Sequence, residues 1–302
     1  METLTRKCII LLSSKSAGSS ALQNLATRLP DVHHVEKTEH RENETLYWTK
    51  AASILGMPQY DMLDSEVPIT AEKSKKQLVQ FLQANLPAYV PPADNDELIF
   101  GGWKMLCDKY APVFFEKSPH HLHQWSALEL INDCIRRFPD IDFLIVGLVR
   151  NPMDTIYSRW SGGRSYPEKY QYEWLKAYRN LLKFKECVRC DLVLVRYEDM
   201  VRDVNSLAAV YRFAGCPEMP PDEGYLHGRS VAKWKKDRHF GFQMADEVMA
   251  LGESFGYSRA DMTNTGKRTW QAQKYLLKFA RTISTPVRRL RQLFRKMIRS
   301  RA

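Results

Sequence analysis

The chain has 302 residues, 44% of them apolar, enough to bury a sizeable core in one large α/β domain or two small ones. Its net charge of +10 is unevenly placed: from Thr263 onward there are 12 Lys and Arg and no Asp or Glu, which leaves 33 basic against 35 acidic side chains in the first 262 residues. No run of about 18 apolar residues occurs, which argues against a membrane-spanning helix, and Cys8 to Leu12 is too short for the apolar core of a signal peptide. The charge break divides the chain into a near-neutral body, 1–262, and a basic tail, 263–302.

The body opens on an apolar run of strand length that breaks at Ser13-Ser14-Lys15-Ser16-Ala17-Gly18-Ser19-Ser20 into a helical pattern through Leu22, Leu25, Ala26 and Leu29. A strand feeding a small-residue turn into a helix N-terminus gathers unpaired backbone N–H groups and the positive end of the helix dipole, so residues 15–20 form a candidate anion site. Ser19 and Ser20 add hydroxyl donors, and Lys15 adds a full charge. The ATP-type phosphate loop needs Gly-Lys-Ser/Thr; here the lysine precedes the glycine, which argues against a nucleotide-dependent kinase.

Asp31 to Glu36 reads as a second strand, followed by a loop with Glu36, Glu39 and His40. Glu42 to Leu55 follows with helical spacing. The loop after a second parallel strand lies at the carboxyl edge of the sheet, where open α/β sheets bind ligands, so Glu39 and then His40 are candidate general bases. Residues 58–68 read as a proline-bounded acidic linker, 70–86 as a surface helix, 88–96 as an exposed loop and 99–110 as a segment packed on the sheet.

Val113 to Pro119 is a third apolar strand with Lys117 in its charged end. His120, His121 and His123 come next; they sit too close to share one helix face, and with no carboxylate at ligand spacing no metal site is expected. His120 is an alternative base. A helix spans His121 to Phe138, and Phe143 to Val149 is apolar throughout, as a buried parallel strand should be. It ends in Arg150-Asn151-Pro152, where Asn151 and Pro152 suit the cap and first turn of a helix. Arg150 then occupies the strand tip, and Ser158 the helix face that can turn back toward the same anion. Gly162-Gly163 breaks the chain before a helix over 168–187, a strand at 191–196 and a helix opened by Tyr197-Glu198-Asp199. Residues 201–214 read as helix, 216–223 as a Pro-rich turn, 228–236 as a basic loop and 240–256 as the last helix of the body. From Thr269 a basic amphipathic pattern suggests contact with an anionic membrane surface; its apolar stripe would be of no use to nucleic acid. The six cysteines are scattered and read as reduced structural thiols.

Four of these segments resemble sulfotransferases that use 3′-phosphoadenosine 5′-phosphosulfate (PAPS). Lys15-x-x-Gly18-Ser19-Ser20 resembles their 5′-phosphosulfate loop, in which the lysine usually stands one residue closer to the glycine. Arg150-x-Pro152, with Ser158 eight residues after the arginine, matches their 3′-phosphate signature. Phe115-Glu116-Lys117-Ser118-Pro119 resembles a strand-end motif whose lysine faces the sulfonate, and Arg196-Tyr197-Glu198-Asp199 is also similar to the family, in which Tyr197 and Glu198 would brace the sheet edge. The resemblance implies a three-layer α/β fold of P-loop-NTPase type, with a mostly parallel central sheet flanked by helices. It implies PAPS as co-substrate, without a metal, and in-line transfer to an acceptor hydroxyl on a glycan, glycolipid or small alcohol. Lys15 to Ser20, Arg150 and Ser158 would bind the donor, and Arg229 and Lys233 would belong to a late basic loop closing over it. Lys15 and Lys117 would stabilise charge, while Glu39, His40 or His120 serves as the base. Golgi members of the family carry a membrane anchor, so a chain without one is expected in the cytoplasm, with the tail as a peripheral membrane contact. The alternatives are a nucleotide-dependent kinase and a non-catalytic scaffold of the same fold at a membrane surface.

Overall fold

The computed structural model describes residues 6–40, 42–162, 166–216, 226 and 228–266. The expected helical tail, the break at Gly163 and the turn after Cys216 lie outside them. Five parallel strands form the central sheet: β1 (Arg6–Ser13), β2 (Val32–His33), β3 (Val113–Lys117), β4 (Ile141–Val149) and β5 (Asp191–Arg196), in the order β2-β3-β1-β4-β5. β1 pairs with both β3 and β4, its Leu11 opposite Lys117 and its Ser13 opposite Leu148.

The runs of β1, β3 and β4 lack polar alternation because both faces are covered; the edge strand β5 is only partly buried, with Leu194 exposed. Cys8, Ile10, Leu12, Phe114 and Ile145 pack to one side with helices α2 (Tyr47–Ile54), α4 (Gly102–Lys109), α5 (Trp125–Arg137) and α7 (Pro167–Cys187). Ile9, Leu11, Phe115, Val146 and Leu148 pack to the other with α1 (Ser19–Ala26), α8 (Tyr197–Met200) and α9 (Ala208–Phe213). Period-2 side-chain direction thus divides each strand between two cores and gives the three layers expected. Among the described residues no helix is long and apolar enough to cross a membrane.

Several boundaries move. β2 is two residues long, and the helix expected over 42–55 begins at Tyr47, because Leu46 takes a left-handed φ of 52° and Thr45 Oγ1 receives the Tyr47 N–H. The segment 240–245 is irregular, and the last long helix runs only over Asp246–Ser254. Phe240, Phe242 and Met244 instead enter the core at alternate positions, a pattern a helix would spread around its circumference. Helix α3 (Ala71–Asn85) has the expected bounds within a residue, with Thr70 as its cap. Asn151 caps α6 (Pro152–Ser161) by accepting from Met153 and Asp154 N–H, as its sequence position implied.

Candidate active site

All the strands run one way, so their carboxyl tips share one edge. From that edge β1 delivers the loop 14–18, β3 delivers Lys117, β4 delivers Arg150 and β5 delivers Tyr197. They surround a cavity of about 830 Å³ lined by the loop residues Lys15, Ser16, Gly18, Ser19 and Ser20, by Arg150 and Ser158, and by an acidic wall opposite.

The loop turns on two left-handed residues, Ser16 at φ 66° and Gly18 at φ 99°. Gly18 is obligatory twice over: a Cβ there would lie 2.4 Å from the Tyr197 ring. It provides no side-chain cap for α1, so the first-turn N–H groups face the cavity edge without one. Ala17 is buried beneath the loop, its N–H donating to Ser14 O.

Arg150 is buried, and its guanidinium joins three segments. Nη1 donates to Ser16 O over 2.9 Å, Nη2 donates to Ser230 O over 2.7 Å, and the group stacks on Tyr197 with Cζ 4.5 Å from the ring centroid. Its Nε is buried without a hydrogen-bond partner among the described residues. Trp174 Nε1 fixes the Arg150 carbonyl over 3.0 Å. Glu198 braces the strand tip by accepting from Asn151 N–H and the Tyr257 hydroxyl, the role expected of it. Tyr197 does more than brace, since it touches the glycine, the arginine and, through its hydroxyl, Ser230 Oγ at 2.5 Å.

The two lysines stand apart. Lys15 donates to the carbonyls of Leu63 (3.3 Å) and Asp64 (3.0 Å), which belong to a strap over residues 60–66. That strap is pinned from below: Glu173 accepts the Leu63 N–H, Tyr170 donates to Asp64 Oδ2, and Gln124 bonds both backbone groups of Tyr60. Lys117 lies buried under the loop and donates to Ser20 Oγ over 3.0 Å. Burial pushes its ammonium pKa down, while Glu44 and then Glu42 favour the charged form.

The three base candidates occupy different settings. Glu39 is half-exposed at the cavity rim with Lys50 3.5 Å away, and His40 faces Glu66 at 3.5 Å. His120 is buried but lines the cavity, with Nδ1 3.5 Å from both Glu44 Oε2 and Ser118 Oγ. Burial, and next the charge of Lys15, push its pKa down to about 2, so the imidazole is neutral. His121 is occupied by Glu116 and Thr49, and His123 is enclosed in the core. Among the described residues no group of three or more His, Cys, Asp or Glu is placed to hold a metal ion.

The cavity therefore gathers Lys15, Ser16, Gly18, Ser19, Ser20, Glu39, His40, His120, Arg150 and Ser158, with Lys117 and Ala17 directly beneath. Arg229 and Lys233 are exposed and lie off its lining; from their loop it is Ser230 that reaches Arg150. Sequence reasoning missed Tyr197 as part of the site, along with Glu42, Glu44, Asp64 and Glu66 on the acidic wall. For Tyr197 the signal was present, as it directly follows a strand.

With this geometry in view, the sequence matches the Sulfotransferase family over residues 9–221. Among solved structures, the chain is similar to the sulfotransferase domain of the Synechococcus PCC 7002 olefin synthase, at 16% identity and a TM-score of 0.53, covering 85% of this chain and 98% of that one. It is also similar to the sulfotransferase domain of the curacin biosynthetic pathway, at 17% identity and a TM-score of 0.48, covering 85% and 99%. At these identities the olefin synthase likeness speaks for the fold alone. Among curated proteins the sequence finds no match.

Proposed function

Because this chain belongs to the sulfotransferase family, we propose that it moves a sulfonyl group from PAPS to an acceptor hydroxyl by in-line transfer. The observation that carries this reading is the meeting of residues 15–20 with Arg150 and Ser158 on one cavity. Two anion-binding groups on neighbouring strand tips suit a ligand charged at both ends. The donor also fits the residues present: α1 offers uncapped N–H groups, and Arg150 has a buried Nε still to be bonded.

In this reading the loop 15–20 holds the phosphosulfate end, and Arg150 with Ser158 holds the 3′-phosphate. PAPS would supply the sulfonyl group and depart as adenosine 3′,5′-bisphosphate, taking the electron pair of the broken sulfur–oxygen bond. Lys15 and Lys117 offset the negative charge that grows on the transferring and departing oxygens. His120 Nε2 takes the acceptor hydroxyl proton as that oxygen bonds to sulfur. Burial and, after it, the charge of Lys15 depress this imidazole; an anion that neutralises the lysine relieves the second cause, so the base gains strength once the donor is in place. Positioning and electrostatics carry the rest, by analogy with phosphoryl transfer.

The test is ³⁵S transfer from labelled PAPS into fractionated lipid, glycan and small-molecule extracts, followed by mass spectrometry. Label should enter one fraction with the wild-type protein and not with Lys15→Ala. Binding of adenosine 3′,5′-bisphosphate without transfer to any fraction would favour the non-catalytic scaffold. Thermal protection by ATP·Mg²⁺ in preference to the bisphosphate would remove the donor assignment.

A further inference from the structure

Resting on the reading of His120 as base, we infer that Glu44 is the residue that positions it, holding Nδ1 protonated so that the Nε2 lone pair remains for the acceptor. Glu44 and His120 line the same cavity, and Glu44 Oε2 lies 3.5 Å from His120 Nδ1. The imidazole is 6% exposed and the carboxylate 18%, so both groups are largely withdrawn from water that would compete for the contact. No hydrogen bond among the described residues engages Nε2, the ring nitrogen left to meet a ligand in the cavity.

Glu44 also acts on a second group of the site. It is the foremost charge favouring the ammonium form of Lys117, whose Nζ reaches the loop through Ser20. An ionised carboxylate only accepts. In the inferred arrangement the imidazole nitrogen nearest it donates, which places the proton on Nδ1. Ser118 Oγ, also 3.5 Å from Nδ1, can donate or accept and so decides nothing. When the acceptor proton arrives on Nε2, the same carboxylate faces the new imidazolium charge. This is the orienting role that a carboxylate plays toward a histidine base in general. Glu44 reaches this place because α2 starts at Tyr47; the left-handed Leu46 leaves residue 44 in the loop facing β3.

The experiment is long-range ¹H–¹⁵N spectroscopy of the full chain with ¹⁵N-labelled histidine imidazoles, recorded with and without adenosine 3′,5′-bisphosphate, His120 being assigned from His120→Gln. The expected wild-type spectrum shows His120 as a single Nδ1–H tautomer. Glu44→Ala should give a tautomer mixture or Nε2–H, while Ser118→Ala leaves the ring unchanged. An Nε2–H tautomer in the wild-type protein overturns the inference without any variant, and so does an unchanged Glu44→Ala spectrum. Calorimetry with the bisphosphate separates the two readings. Glu44→Ala should bind it within about threefold of wild type, and failure of the wild type to bind removes the donor reading while the spectra still judge Glu44. In ³⁵S transfer, Glu44→Ala should lower turnover about 10- to 100-fold with the PAPS KM unmoved, since a misplaced base costs the proton transfer and not donor binding.

Discussion

Arg150 and Ser16 are hydrogen-bonded, Nη1 to carbonyl over 2.9 Å, so the arginine at the tip of β4 shapes the loop at the tip of β1. The two halves of the proposed donor site are therefore one unit: a change at Arg150 is felt at both ends of the ligand.

Arg150→Ala should weaken adenosine 3′,5′-bisphosphate binding by about 2 kcal/mol or more, the scale for removing one partner of a desolvated charge pair. Arg150→Lys should not restore it, because one ammonium cannot bond Ser16 O, Ser230 O and a phosphate in a fixed fork. Calorimetry at constant ionic strength checks both, and wild-type affinity in either variant would defeat the assignment.

Gly18→Ala meets two obstacles, a φ of 99° and the Tyr197 ring at 2.4 Å. Each adds about 1–3 kcal/mol, the usual range for backbone strain and for overpacking. Removing the ring separates them. In a double-mutant cycle with Tyr197→Ala, measured by urea unfolding, the alanine at position 18 should cost less in the ring-free background by the overpacking share. Equal costs in both backgrounds would show that the loop evades the ring.

A buried ion pair anchors the strap that carries Asp64 and Glu66 of the acidic wall. Arg159 Nη1 donates to Glu173 Oε2 over 2.9 Å, with side chains 3% and 2% exposed, and Glu173 Oε1 accepts the Leu63 N–H. Arg159→Met should destabilise by about 3–5 kcal/mol, because it strands a buried carboxylate. Arg159→Met with Glu173→Met should recover much of that in urea, though the strap loses the Leu63 bond and should become more sensitive to limited proteolysis near residues 60–66. A double variant as unstable as the single one would contradict the charge argument.

The sequence exposed those features that depend on neighbours along the chain. The apolar runs became β1, β3 and β4 because parallel strands buried on both faces need no polar positions, and the run at 191–196 became the partly exposed edge strand β5. The loop 15–20 and Arg150 were legible because each directly follows a strand, and parallel strands share an edge. Glu44 was hidden inside an apparent helical repeat, which stops at a backbone reversal at Leu46 that periodicity does not encode. Its partner is 76 residues away, and Lys15 meets a strap 48 residues on. The same limit explains Arg229 and Lys233: charge and position favoured them, yet the contact from that loop to Arg150 is a backbone carbonyl, which any residue carries.

Buried titratable groups also fix how stability responds to acid. Burial pushes His123 down to about 3 and His120 to about 2, against 6.5 for an exposed histidine. Between those values the unfolded chain binds protons that the folded chain refuses, so both histidines contribute stability that is complete above pH 6.5 and falls as pH drops below it. Asp154 has the opposite sign. Burial pushes it up to about 6 despite its bond from Ala232 N–H, so the folded state binds a proton that the unfolded state lacks, and stability is lost as pH rises from about 4 through 6. Between pH 5 and 6 His120 and His123 account for two protons and Asp154 for one in return, and His34, also pushed down by burial, adds to the loss, so acidification costs about 1 kcal/mol per pH unit or more. His123→Leu should lower that slope by about 1 kcal/mol per pH unit, the share of one histidine. It should do so without loss of stability at pH 7.5, because the ring it replaces has both nitrogens buried with no hydrogen-bond partner among the described residues. Urea unfolding across pH 5.0–7.5 measures both slopes. A variant that keeps the wild-type slope would show that His123 is protonated in the folded protein.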